Sequence, residues 1–102
     1  MAELVRLCSR GDLPAEGHVK EVLCGAQSIC VANVGGEFSA IDNVCPHRGG
    51  PLGEGWIEDG KVMCPWHAWT FDPKTGAVNG DENERIRTFP LRIEGDSVFT
   101  EV

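Results

Sequence analysis

The sequence contains no tyrosine, so no phenol hydroxyl is available to donate a hydrogen bond anywhere in the chain. It has no apolar run long enough to span a bilayer, which argues against a membrane helix. The opening Met1-Ala2-Glu3-Leu4-Val5-Arg6 has neither the basic start nor the apolar stretch of a signal peptide, and a cytoplasmic protein away from membranes is expected. Basic residues are few: nine lysines and arginines face sixteen acids, for a net charge of −7. The acids are spread along the chain, with residues 1–44, 45–72 and 73–102 carrying −3 (three bases, six acids), −2 (two, four) and −2 (four, six). Without a basic patch, nucleic acid is excluded as a partner. An acidic surface suits solubility and steering toward a basic partner.

No internal repeat, low-complexity stretch or linker interrupts the 102 residues, which are read as a single domain, 1–102, with one modest core. Sustained helical periodicity is also missing. Thirteen glycines and six prolines instead punctuate short runs, which predicts an all-β fold, a sandwich or small barrel. The expected strands are Leu4–Leu7, His18–Leu23, Ser28–Val34, Glu37–Ile41, Lys61–Met63, Thr70–Phe71, Leu91–Ile93 and Val98–Thr100. Gly35-Gly36 suits a two-residue type I′ hairpin, because both positions need positive φ. Asp12-Leu13-Pro14 reads as a turn or single helical turn, Glu58-Asp59-Gly60 and Asp72–Gly76 read as turns, and Glu94–Ser97 closes a last hairpin.

Chemistry is concentrated in two matched segments. Cys45-Pro46-His47 is followed, after sixteen residues, by Cys64-Pro65-Trp66-His67. Thiolates hold iron and sulfide well, and imidazole is the neutral donor that can replace them. Two cysteines with two histidines form the ligand set of a Rieske [2Fe–2S] centre. On the strand map both segments fall at strand-to-loop junctions. Pro46 and Pro65 fix φ beside the ligands, and Gly49-Gly50-Pro51 permits close approach of backbone N–H groups to bridging sulfides. The rival metal is structural zinc, whose ligands usually come as Cys-x₂₋₄-Cys and His-x₃₋₅-His pairs, a template that Cys-x-His fits poorly. A Cys–His nucleophile pair would leave the second segment unexplained.

These segments, Cys45-Pro46-His47-Arg48-Gly49-Gly50-Pro51-Leu52 and Cys64-Pro65-Trp66-His67-Ala68-Trp69-Thr70-Phe71-Asp72, resemble the Rieske-type ferredoxins of bacterial ring-hydroxylating dioxygenase systems. The resemblance extends over nearly the whole chain, through the Thr75-Gly76 turn and the closing Phe89-Pro90-Leu91 strand. It implies three stacked antiparallel sheets, with a cluster-binding subdomain, here about 43–71, inserted in a larger β base. It also implies that Cys45 and Cys64 bind the inner iron of one [2Fe–2S] cluster. His47 and His67 then bind the outer iron through Nδ1, with their Nε2 edges near solvent.

The high-potential respiratory branch of that family joins its two cluster loops by a disulfide, and serine and tyrosine hydroxyls donate to its cluster sulfurs. The matching positions here are Gly50 and Trp66 for the disulfide, and Trp69 and Phe71 for the hydroxyls. Fewer donors leave the added electron less stabilised, so the expected potential is low, roughly −150 mV, and nearly independent of pH around neutrality.

The function implied is iron–sulfur electron transport rather than catalysis. The chain would be a ferredoxin component of an oxidoreductase system, a monomer with no catalytic residue of its own. It would take electrons from a flavin-dependent NAD(P)H reductase and pass them singly to a terminal oxygenase. The alternative is the Rieske small subunit of an assimilatory NADH-dependent nitrite reductase, bound to a large flavin and sirohaem subunit. A third class, a binding module that keeps the fold without redox use, is disfavoured by the complete ligand set.

The remaining residues carry blander expectations. Cys8, Cys24 and Cys30 are read as buried structural thiols, and His18 as solvated. Arg48 is either a solvated rim residue or a partner contact. Trp66 and Trp69 either shield the cluster or present a docking face. Trp56, Phe38, Phe89 and Phe99 are expected in the core.

Overall fold

A computed structural model describes residues 4–25, 27–44, 51–66 and 69–101 of the chain. Twelve strands are found among them: β1 (Leu4–Ser9), β2 (Val19–Cys24), β3 (Gln27–Val34), β4 (Glu37–Asp42), β5 (Trp56–Glu58), β6 (Lys61–Met63), β7 (Thr70–Phe71), β8 (Ala77–Val78), β9 (Asp81–Arg85), β10 (Thr88–Phe89), β11 (Leu91–Glu94) and β12 (Ser97–Glu101). Single 3₁₀ turns at Arg10–Asp12 and Leu52–Glu54 complete the described elements. Among the described residues no helix is long and apolar enough to cross a membrane.

The strands form three antiparallel sheets, ordered β1-β12-β11, β10-β4-β3-β2 and β5-β6-β7-β8-β9. The period-two alternation of β3 and β4 decides how they stack. Cys30, Ala32 and Ile41 point to one face of the four-stranded sheet and share a buried cluster with Val62, Phe71 and Val78 of the five-stranded sheet. Ile29, Val31 and Ala40 point to the other face and join Leu7, Cys8 and Val98 of the three-stranded sheet. The four-stranded sheet is therefore the middle layer, which explains why β3 reads as an almost unbroken apolar run, buried from Ile29 through Asn33. The all-β class with stacked antiparallel sheets agrees with the sequence reading.

Turn chemistry accounts for the registers. Gly35 and Gly36 have φ of 62° and 89°, the two positive values a type I′ turn needs. Asp59-Gly60 (52°, 75°) and Asn79-Gly80 (51°, 79°) repeat that solution between β5 and β6 and between β8 and β9. In β1, pairing steps from Arg6–Phe99 to Cys8–Val98, leaving Leu7 as an extra residue. This bulge lets Leu7 and Cys8 both be buried although adjacent.

Several expectations needed correction. Strands β5, β8 and β9 were not anticipated: β9 is Asp81–Arg85, without a hydrophobic alternation, and the other two have only two or three residues, while the expected Phe89-Pro90-Leu91 strand is divided at Pro90 between β10 and β11. Trp56 is not a core residue. It lies on edge strand β5, 45% exposed, while its neighbour Ile57 is the side chain that packs inward. Phe89 is buried as expected, and Phe38 and Phe99 are half-buried.

Candidate metal centre

The first ligand segment leaves the middle sheet at the end of β4. Asn43 follows, 3% exposed, and its N–H donates to the Ser28 carbonyl at 3.0 Å. The chain returns at Pro51, which forms an isolated antiparallel bridge with Val44, and at Leu52, whose N–H donates to the Asn43 carbonyl at 2.8 Å. The excursion is thus closed at its base by backbone bonds. Cys45, His47 and Arg48 belong to positions 45–50, outside the described residues, as does Gly50.

The second segment is built in the same way between β6 and β7. Met63 pairs with Thr70, and the Cys64 N–H donates to the Trp69 carbonyl at 2.8 Å. The base is held from a third strand end: Asn79 Oδ1 accepts from the Thr70 N–H at 2.9 Å, and the Asn79 N–H donates to the Thr70 carbonyl at 2.7 Å. Cys64 is fully buried, in one cluster with Leu52, Val62, Phe71 and Cys30. His67 lies outside the described residues.

Of the four ligand candidates the structure therefore describes Cys64. Cys64 stands directly after β6, at the start of the second matched segment, and a thiolate in this apolar layer would need a cation to compensate its charge, which iron would supply. The neighbouring aromatic positions also fit. Phe71 is fully buried and carries no hydroxyl, and Trp69 packs half-buried against the same cluster. Trp66, by contrast, is 48% exposed. Among the described residues no group of three or more His, Cys, Asp or Glu is placed to hold a metal ion.

Cys8, Cys24 and Cys30 are free thiols. Burial, with the Glu21 charge adding to it, pushes the Cys30 thiol up to about 12. Burial and the Asp12 charge raise that of Cys8 against the opposing pull of Lys20 and Arg6. Both remain neutral thiols at physiological pH, the behaviour expected of structural cysteines. Cys24 is half-buried at the end of β2, and His18 is exposed.

Residues 3–90 match the Rieske [2Fe-2S] domain family. The chain belongs to that family. It is 38% identical over 100 residues to "Biphenyl 2,3-dioxygenase, ferredoxin component" of Rhodococcus jostii (strain RHA1), covering 97% of this chain and 92% of the relative. The solved structure "Sphingomonas yanoikuyae B1 ferredoxin" superposes with a TM-score of 0.84 at 29% identity, covering 98% of this chain and 99% of that one. A structure described as "putative NADH-dependent nitrite reductase small subunit from Mycobacterium tuberculosis" reaches the same TM-score of 0.84 over 100% of this chain and 96% of that one, at 19% identity, a likeness that shows the fold alone. A Rieske-type [2Fe–2S] cluster is therefore the cofactor, and structural zinc is set aside.

Proposed function

We propose that this Rieske protein is a low-potential one-electron carrier between a flavin-dependent NAD(P)H reductase and a terminal oxygenase. The observation that carries the reading is the end-to-end correspondence with the Rhodococcus ferredoxin component: 97% of this chain aligns with 92% of that protein.

When bound, the [2Fe–2S] cluster supplies reversible one-electron chemistry. The chain's residues hold it and tune it. Cys45, His47, Cys64 and His67 would hold it, the two cysteines at one iron and the two histidines at the other. The buried apolar layer of Leu52, Val62 and Phe71 excludes water behind Cys64. The hydrophobic side chains Trp69 and Phe71 withhold the hydroxyl donors that would raise the potential. The half-exposed Trp66 supplies an apolar rim beside His67.

The proposal includes a single domain over 1–102 with its cluster-binding part at about 43–71, a monomeric state and a cytoplasmic location. Purification of the tagged protein from its native host under anaerobic conditions tests it. The expected result is a protein without a stoichiometric partner, reduced by NAD(P)H in the presence of a catalytic amount of reductase. Recovery of an equimolar large flavin and sirohaem subunit would assign it instead to a nitrite reductase.

A further inference from the structure

The base of the first ligand segment is fastened by a side-chain network that no backbone rule requires. Asn43 is one of three buried polar or charged residues among those described. Its Oδ1 accepts from the Gly53 N–H at 2.6 Å, and its Nδ2 donates to Glu21 Oε2 at 3.1 Å. The same Glu21 oxygen accepts the Ser28 hydroxyl. Ser28 in turn supplies the carbonyl that receives the Asn43 N–H. Glu21 is placed for this by register: it pairs with Cys30 across β2 and β3, so Ser28 is its diagonal neighbour on the face that meets the five-stranded sheet.

Gly53 completes the arrangement through its size. A Cβ there would stand 2.6 Å from the Glu21 nitrogen, 2.7 Å from its Cβ and 2.8 Å from Asn43 Oδ1. The returning limb of the segment is therefore pressed directly onto β2, an edge strand of the middle sheet. Asn43 ties the outgoing limb, the returning limb and this edge strand together, two residues before Cys45.

We propose that Asn43 and Glu21 are positioning residues for the cluster. Acting as a complementary amide–carboxylate pair, they lock the neck of the first ligand segment to β2 so that its Cys and His donors are presented at a fixed distance from Cys64. The proposal rests on the assignment of Cys45 and His47 as ligands. Outer residues that orient metal ligands matter most for retention of the metal, and their loss costs about 10–100-fold in affinity. Neither side chain touches the cluster in this role; both act through the backbone of Val44 and Pro51–Gly53.

Reversal of the pair tests the idea. Asn43→Asp keeps the acceptor for Gly53 but sets two carboxylates against each other. Glu21→Gln in the same chain restores a donor facing an acceptor, with an oxygen left for Ser28. The readouts are iron release to a chelator from the anaerobic holoprotein at 25 °C and the reduced-state EPR spectrum. Asn43→Asp is expected to speed iron release about tenfold or more and broaden the EPR features. Adding Glu21→Gln should return both to within about threefold of wild type, the non-additivity of a direct contact. If Asn43→Asp yields no holoprotein, the double variant is expected to recover it.

Thr100→Val is the control. It removes a buried hydrogen bond to the Pro90 carbonyl (2.8 Å) in the three-stranded sheet and should leave iron release unchanged. Wild-type iron release in Asn43→Asp, no recovery in the double variant, or equal acceleration by Thr100→Val would each overturn the proposal. A wild-type protein without a Rieske signal would instead overturn the ligand assignment, so the two failures are distinguishable.

Discussion

The Cys64 N–H donates to the Trp69 carbonyl at 2.8 Å, so a ligand candidate and an aromatic residue five positions later close the second excursion on each other. This bond extends the β6–β7 ladder by one step beyond the Met63–Thr70 pair. The cysteine is thereby held at the end of a rigid sheet, and its side chain stays inside the apolar layer. The Trp69 ring lies against that layer while Trp66, within the excursion, is turned outward. On the proposed reading Trp69 shields the cluster and Trp66 presents a docking face.

Trp66 is consequently expected to matter for partners and little for folding. Trp66→Ala should change stability by no more than about 0.5 kcal/mol, as for other exposed positions. As electron donor to an oxygenase, the variant should show an apparent KM raised about tenfold, the usual loss when an interface aromatic is truncated. Steady-state oxygenase turnover against ferredoxin concentration measures this, with thermal melting as the parallel readout.

Gly55 is required for space rather than for conformation. Its φ is −82°, yet a Cβ would lie 1.9 Å from the Met63 carbonyl oxygen, a backbone atom of β6. Gly55→Ala must push the Leu52–Glu54 turn away from the strand that leads to Cys64. The expected cost is about 1–3 kcal/mol, typical of overpacking. Calorimetric melting should show a Tm lower by roughly 4–8 °C per kcal/mol for a domain of this size.

Asp72 shapes the turn after β7. Burial alone would raise its pKa, but the Lys74 N–H, the Lys61 ammonium at 3.1 Å and the Thr75 N–H together hold it below the ordinary 3.8. A depressed carboxylate pKa stabilises the fold above the unfolded value. That contribution is lost as pH falls from about 4 through the folded pKa. Asp72→Asn keeps an oxygen for the turn and removes the charge, so its Tm should fall less than wild type between pH 7 and pH 3.5. Parallel acid melts of the two proteins check the difference.

Much of this architecture was legible from local signals. Gly35-Gly36 announced its hairpin because only positive φ at both positions joins two strands so tightly, and the apolar, β-branched run Ser28–Val34 marked a strand, whose burial on both faces the structure adds. The ligand candidates stood out because Cys-x-His and Cys-x-x-His have few other uses. What escaped had no local signature. Strand β9 is an acidic run that pairs only because β8 is beside it, and its one available cue was the Asn79-Gly80 turn. Trp56 looked like core by type, but which face of an edge strand is covered is decided by distant residues. The Asn43–Glu21 contact joins positions 22 apart in sequence and follows only from the register of β2 on β3 and the close approach at Gly53.

The most direct test is an EPR-monitored redox titration of the anaerobically purified protein. A Rieske-type signal appearing on reduction, with a midpoint near roughly −150 mV and little change between pH 6.5 and 8, is the predicted result. Bound metal without that signal, or a midpoint above about +100 mV, would contradict a low-potential electron carrier tuned by Trp69 and Phe71.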